Sequence, residues 1–170
     1  MGCDIHAMIE EKKVGSYYSW WINRGDPEID RYYELFSVLG NVRNYNNIPF
    51  IAENRGVDAF SCCEYLSWIK YWDSDAHSAS WVTLKELKDF NIEQEYYNSN
   101  LIKDKDNAGK IIETCTFTTG KHMGEVGKVK LFRVFGEDSH GIKDWRRLIK
   151  KLDSFGSSPE NIRIVFFFDN

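Results

Sequence analysis

Two Asp-x-His steps mark where this chain could do chemistry: Asp4-Ile5-His6, and Asp75-Ala76-His77 with Asp73 just ahead of it. In an extended chain the i, i+2 spacing turns both side chains to one face. There a carboxylate can hold a hard cation and an imidazole a transition metal. Asp169 closes a very apolar run and adds a further carboxylate. Asp4, His6, Asp75, His77 and Asp169 together form a candidate set for a divalent ion, Mn, Mg or Zn. Such an ion would polarise a phosphoryl or carbonyl group and lower the pKa of a bound water. A metal-free version uses His6 or His77 as general acid or base, with Asp4 or Asp75 orienting the ring. The plainer alternatives are a structural His–Asp hydrogen bond and, for Asp169, a solvated carboxylate.

Groups suited to holding a ligand lie near these steps. Arg43-Asn44 and Asn54-Arg55-Gly56 flank a loop, and the planar fork of Arg donates two bonds at once to phosphate or carboxylate. Surface ion pairing is the ordinary alternative for each Arg. Ser78, Ser80 and Trp81 follow His77 directly and offer two hydroxyls and an indole, either to a ligand or to the start of a helix. Neither serine sits in a G-x-S-x-G elbow, and Gly120-Lys121-His122-Met123-Gly124 does not fit the phosphate-loop pattern, so neither motif supplies a nucleophile or a phosphate cradle. Lys143, Arg146, Arg147, Lys150 and Lys151 crowd one helical face, where they could receive an acidic partner or simply be solvated.

The elements that must position these groups can be read from periodicity. Residues 3 to 11 alternate as a strand, with Cys3, Ile5, Ala7 and Ile9 on one side and Asp4, His6, Met8 and Glu10 on the other. A turn at 12 to 16 leads into an aromatic stretch from Tyr17 to Ile22, which predicts a hairpin. Asp30 is positioned to cap a helix ending between Gly40 and Arg43. Residues 44 to 58 read as an irregular loop. Ser61-x-x-Glu64 and Thr83-x-x-Glu86 have capping-box spacing and predict helices over about 62–71 and up to Phe90. The polar run Tyr97 to Lys110 reads as a mobile excursion, and residues 111–118 and 128–135 as strands around a glycine-rich loop at 120–127. Ile142, Trp145, Leu148, Ile149, Leu152 and Phe155 form a helical stripe ending at Gly156. Residues 161–168 are apolar on both faces and predict a central strand beside the first one.

These elements make an α+β fold: one domain over residues 1–170, a mixed β-sheet with helices packed mainly on one face. With 170 residues, 42% hydrophobic and 28% charged, the composition is that of a globular domain. A net charge of −4 argues against a duplex nucleic-acid partner, because such binding rests on many Lys and Arg contacts to phosphate. The apolar runs are far too short to span a membrane. Four cysteines, including the adjacent Cys62-Cys63, suit neither a disulfide framework nor a structural zinc site, so a reducing cytoplasm is expected. Aromatics reach 15%, which serves a core or a stacking surface equally well.

Several blocks run from end to end: Met1-Gly2-Cys3-Asp4-Ile5-His6, the helix Tyr33 to Leu39 leading to Val42-Arg43-Asn44, Arg55-Gly56, His77-Ser78-Ala79-Ser80-Trp81, and Arg163 to Asn170. Together they resemble a family of small phage and prophage proteins beginning MGCDIH. The resemblance selects Asp4, His6, Arg43, Arg55, Asp75, His77, Ser78, Ser80, Trp81 and Asp169. Residues 98–110 and 120–127 match none of its blocks, and Phe167 stands where the family pattern has Trp. It implies a protein of the cytoplasm of an infected bacterial host. The leading expectation is a metal-dependent or His-dependent phosphodiesterase acting on a small phosphorylated nucleotide, with a host immune signal as one candidate. In it Arg43 and Arg55 would bind phosphate, Asn44, Ser78 and Ser80 would help to hold the ligand, and Trp81 or a Tyr would stack on the base. Two alternatives stay open: a non-enzymatic sponge for such a nucleotide, and an inhibitor that docks on a host protein.

Overall fold

A computed structural model describes residues 2–105, 111–115, 125–131 and 140–169. The chain runs β1 (Asp4–Val14), β2 (Ser19–Gly25), α1 (Tyr33–Gly40), α2 (Cys63–Trp72), β3 (His77–Thr83), α3 (Leu84–Asp89), β4 (Glu95–Lys105), β5 (Ile111–Cys115), β6 (Glu125–Lys130), α4 (His140–Asp153) and β7 (Ile162–Asp169). Four strands form one sheet in the order β2-β1-β7-β3, and three form a second in the order β5-β4-β6. The expected α+β class holds, but the sheet is not mixed as expected: every pairing among the described strands is antiparallel.

β7 lies at the centre because nearly every one of its side chains is apolar. Ile162, Ile164, Phe166 and Phe168 face a core built by Leu35, Phe36, Val38 and Leu39 of α1, Leu84 and Leu87 of α3, and Ile142, Trp145, Leu148 and Leu152 of α4. Val165 and Phe167 face the other way, toward Cys62 and Tyr65 at α2. Three helices therefore cover one face and α2 covers the other. β1 joins β7 along its length, from Asp4 opposite Asp169 to Glu11 opposite Ile162, so the two strands read as neighbours in the sequence are neighbours in space.

Helix ends show which local signals win. Thr83 and Glu86 form the full capping box: the Thr83 hydroxyl accepts the Glu86 N–H and the Glu86 carboxylate accepts the Thr83 N–H. Gly156, in the left-handed region at φ 68°, follows α4 as the stripe required. The other two expected caps are not used. α1 starts after Tyr32, with no side-chain cap, so Asp30 does not serve. α2 starts after Cys62, whose N–H is taken by Glu10 at 2.7 Å, while the Ser61 hydroxyl accepts from Arg163 at 3.1 Å. A buried charge recruits both groups more strongly than a local cap would.

The polar run from Tyr97 is not an excursion as far as it is described. β4 carries it to Lys105, paired on one side with β5 and on the other with β6, and this ladder outweighs its loop-like composition. Residues 106–110, the glycine-rich segment up to Gly124, and the parts of the expected strands at 116–118 and 132–135 lie outside the described residues. Among the described residues no helix is long and apolar enough to cross a membrane.

Candidate functional site

His77 belongs to a strand rather than a loop, and one irregularity in that strand decides what its neighbours can do. His77 stands opposite Phe168 and Ser80 opposite Phe166, so three steps on β3 match two on β7. Ser78 absorbs the extra residue at φ 52°, a left-handed conformation rarely adopted by a residue with a side chain. Without it, His77 and Trp81 would share a face; with it, Trp81 pairs with Val165 and packs on the α2 side.

The same register separates the two histidines. His6 stands opposite Phe167 and His77 opposite Phe168, and consecutive strand residues point to opposite faces. His6 lies under α2, its ring 4.4 Å from that of Trp72, 4.8 Å from Phe167 and 5.3 Å from Trp68. Its Nε2 is 3.2 Å from the Asp169 carboxylate, whose other oxygen accepts the Asp4 N–H at 3.0 Å. The Asp4 side chain turns to Arg31 instead, and the bonds from that guanidinium lower its pKa. Asp75 is exposed in a 3-10 turn, Asp73–Asp75. So His6 and Asp169 meet, Asp4 joins them by its backbone, His77 lies on the other face, and Asp75 stays in its exposed turn. The five-residue metal set is not assembled. Among the described residues no three His, Cys, Asp or Glu side chains are grouped as ligands.

Around His77 there is a cleft of about 480 Å³ between the end of α1 and the start of β3. Its walls include Asn41, Arg43, Tyr45, Asn54, His77 and Ser78, with Glu53 at the same wall. His77 Nδ1 is 3.0 Å from Ser78 Oγ, while its Nε2 is buried and makes no hydrogen bond among the described residues. A buried polar atom without a partner costs about 1–3 kcal/mol. Asn41, Arg43 and Ser78 all have φ between 52° and 55°, so three wall residues hold left-handed backbone. Asn41 does so because it ends α1, its N–H bonding the Ser37 carbonyl at 2.9 Å while the Val42 N–H bonds that of Phe36 at 3.4 Å. Arg43 lies over the Tyr33 ring at 5.7 Å and reaches the Gly2 carbonyl at 3.5 Å.

The remaining expected ligand groups are engaged in the fold. Asn44 bonds Asn41 and both backbone groups of Ile48 and so shapes the loop below the cleft. Arg55 forks onto Glu86, at 2.5 and 3.1 Å, gives a further bond to the Trp81 carbonyl, and lies 4.2 Å over the Trp81 ring. Burial alone would raise the Glu86 carboxyl, but Arg55 and Thr83 overcome it and hold the pKa at about 2. Buried Ser80 accepts the Arg55 N–H at 3.2 Å. Of the expected site, Arg43, His77 and Ser78 share the cleft, while Arg55, Ser80 and Trp81 form a brace behind it.

Sequence reasoning passed over Asn41 and Tyr45, whose roles depend on where α1 ends. The Gly40-Asn41 pair was the available signal, since Asn tolerates the left-handed turn that closes a helix. It also passed over Arg163, a fully buried cation inside an otherwise apolar strand. The chain matches no protein-family model, and neither the curated proteins nor the solved structures yield a match.

Proposed function

We propose that this protein binds a small phosphorylated, nucleotide-type ligand in the cleft at His77. The observation that carries the reading is that His77, whose buried Nε2 has no partner among the described residues, lies on the wall of a polar cleft that also holds Arg43. A turn of the His77 ring that brings this nitrogen to a ligand in the cleft removes the penalty of leaving it bare, and Arg43 supplies a fork for phosphate. Tyr45, 41% exposed on the same wall, offers a ring face to a base. The resemblance to phage and prophage proteins points to a host nucleotide signal as the ligand, which sequestration alone would silence.

Binding is preferred to metal-dependent hydrolysis because the sheet divides the ligands that a metal would need. Hydrolysis without a metal is a second reading, favoured by the 3.0 Å contact of His77 with Ser78, which places an acid/base group next to a hydroxyl. Purified protein incubated with cyclic and linear dinucleotides, with and without Mn²⁺, then chromatographed before and after heat denaturation, tests both. Intact ligand released only by heat is the expected result. Converted nucleotide in solution selects hydrolysis. Retention that survives both His77→Ala and Arg43→Ala, or no retention at all, overturns the site.

A further inference from the structure

We propose that the opposite face of the sheet carries a second ligand site, shaped for a neutral saccharide ring. α2 covers only one end of this face. The other end, where β2, β1, β7 and β3 present Ser19, Trp21, Lys12, Arg163 and Trp81, is left as a cavity of about 490 Å³. It lies on the Trp81 side of the sheet, whereas His77 belongs to the other side, so the site does not depend on the proposal above.

The wall is rigid for a reason that can be followed bond by bond. Arg163, almost wholly buried, gives bonds of 2.7 Å to Glu10 and to Asp58 and one of 3.1 Å to Ser61, with its guanidinium 3.8 Å from the Trp21 ring centroid. Asp58 in turn accepts the Phe60 N–H at 2.9 Å, and the Ser61 N–H bonds the Asp58 carbonyl. A buried charge network thus fixes the turn 58–61 and holds Phe60 at the cavity with 82% of its surface in water. A large apolar ring held bare on a rigid turn beside two indoles is a preorganised anchor.

The polar groups select what would stack there. Asp58 and Glu160 balance Arg163 and Lys12 on the wall, so the cavity carries no net charge to draw an ion of either sign and favours a neutral polar ligand. Lys12 adds an ammonium and Ser19 a hydroxyl, so a purely apolar ring would strip water from charges without replacing it. A polyol ring answers both demands. Its C–H face packs on Phe60, and its hydroxyls donate to the carboxylates and accept from Lys12 and Ser19.

Proton–nitrogen NMR of the full chain tests this with glucose, N-acetylglucosamine, maltose and cellobiose, each at about 10 mM, enough to detect millimolar binding. The expected result is saturable shifts at the Trp21 and Trp81 indole N–H groups with at least one of the four. Phe60→Ala should weaken that binding by about tenfold or more and Phe60→Tyr should keep it, both with unchanged circular dichroism. The proposal is overturned if no saccharide shifts these groups, if Phe60→Ala binds as tightly as the wild type, or if adenosine displaces the saccharide from the same indoles.

Discussion

Arg163 shows how one residue can constrain several others. Its side chain and that of Glu10 are 2% and 0% exposed, and both Glu10 oxygens are used, one by Arg163 and one by the Cys62 N–H. Removing the cation leaves a buried carboxylate with half of its partners. Arg163→Met should therefore cost about 3–5 kcal/mol in urea denaturation, and adding Glu10→Leu should recover much of that loss. A single-variant loss below about 1 kcal/mol would mean that the pair is not the constraint argued here. Two carboxylates set the acid limit in the same manner. Glu11, bonded by Lys13, Ser157 and Arg24 against the opposing effect of burial, and Glu86, bonded by Arg55 and Thr83, both have folded pKa values of about 2, lowered from 4.5. A lowered folded pKa contributes stability that is complete above the unfolded value and is lost as protons bind. Stability should thus fall between about pH 4.5 and pH 2, and Arg55→Gln should flatten part of that fall when unfolding is followed across pH.

At the scale of the element, β3 determines the site, because a single extra residue sends His77 to one face and Trp81 to the other. Ser78 holds a conformation that costs a residue with a side chain about 1–2 kcal/mol, and glycine adopts it freely. Ser78→Gly should raise stability by up to about 1 kcal/mol while weakening ligand retention, since the His77 contact is lost; Ser78→Val should destabilise. If glycine lowers stability, the left-handed turn is not strained as described. This part of the molecule could not be read from the sequence. The β7 run, the α4 stripe and the Thr83 capping box were legible because each is decided by residues a few places apart. The face on which His77 lies depends instead on a count of residues against a distant strand. Ser61 carried a correct local signature that lost to a buried arginine 102 positions away. The Asp4, His6 and Asp169 convergence was legible in part, because two central strands with alternating patterns bring their ends together. The same alternation gave no reason to send Asp4 toward Arg31.

For the whole molecule, the decisive fact is that β7 has a partner strand on each side and packed side chains on both faces. β1 and β3 flank it, three helices pack on one face, and α2 is tied to the other by the Tyr65 hydroxyl, which donates to the Phe166 carbonyl at 2.9 Å. Among the described strands β2 is at the edge and pairs with β1 alone, with Tyr17 and Tyr18 exposed at the turn before it. Local opening of β7 would expose both apolar clusters together, so its amides can exchange only when the sheet comes apart. Fraying of β2 lifts Trp21 off Arg163 and Arg24 off Glu11 but leaves both apolar clusters closed. Native-state hydrogen exchange should therefore place β7 and the paired half of β1 at the global unfolding free energy, with β2 several kcal/mol below it. Arg163→Met should lower the β7 values by the full loss measured in urea and, by removing the guanidinium against Trp21, quicken exchange in β2 as well. Equal exchange along both strands would mean that the sheet opens from its centre, and the order of layers would not explain its stability.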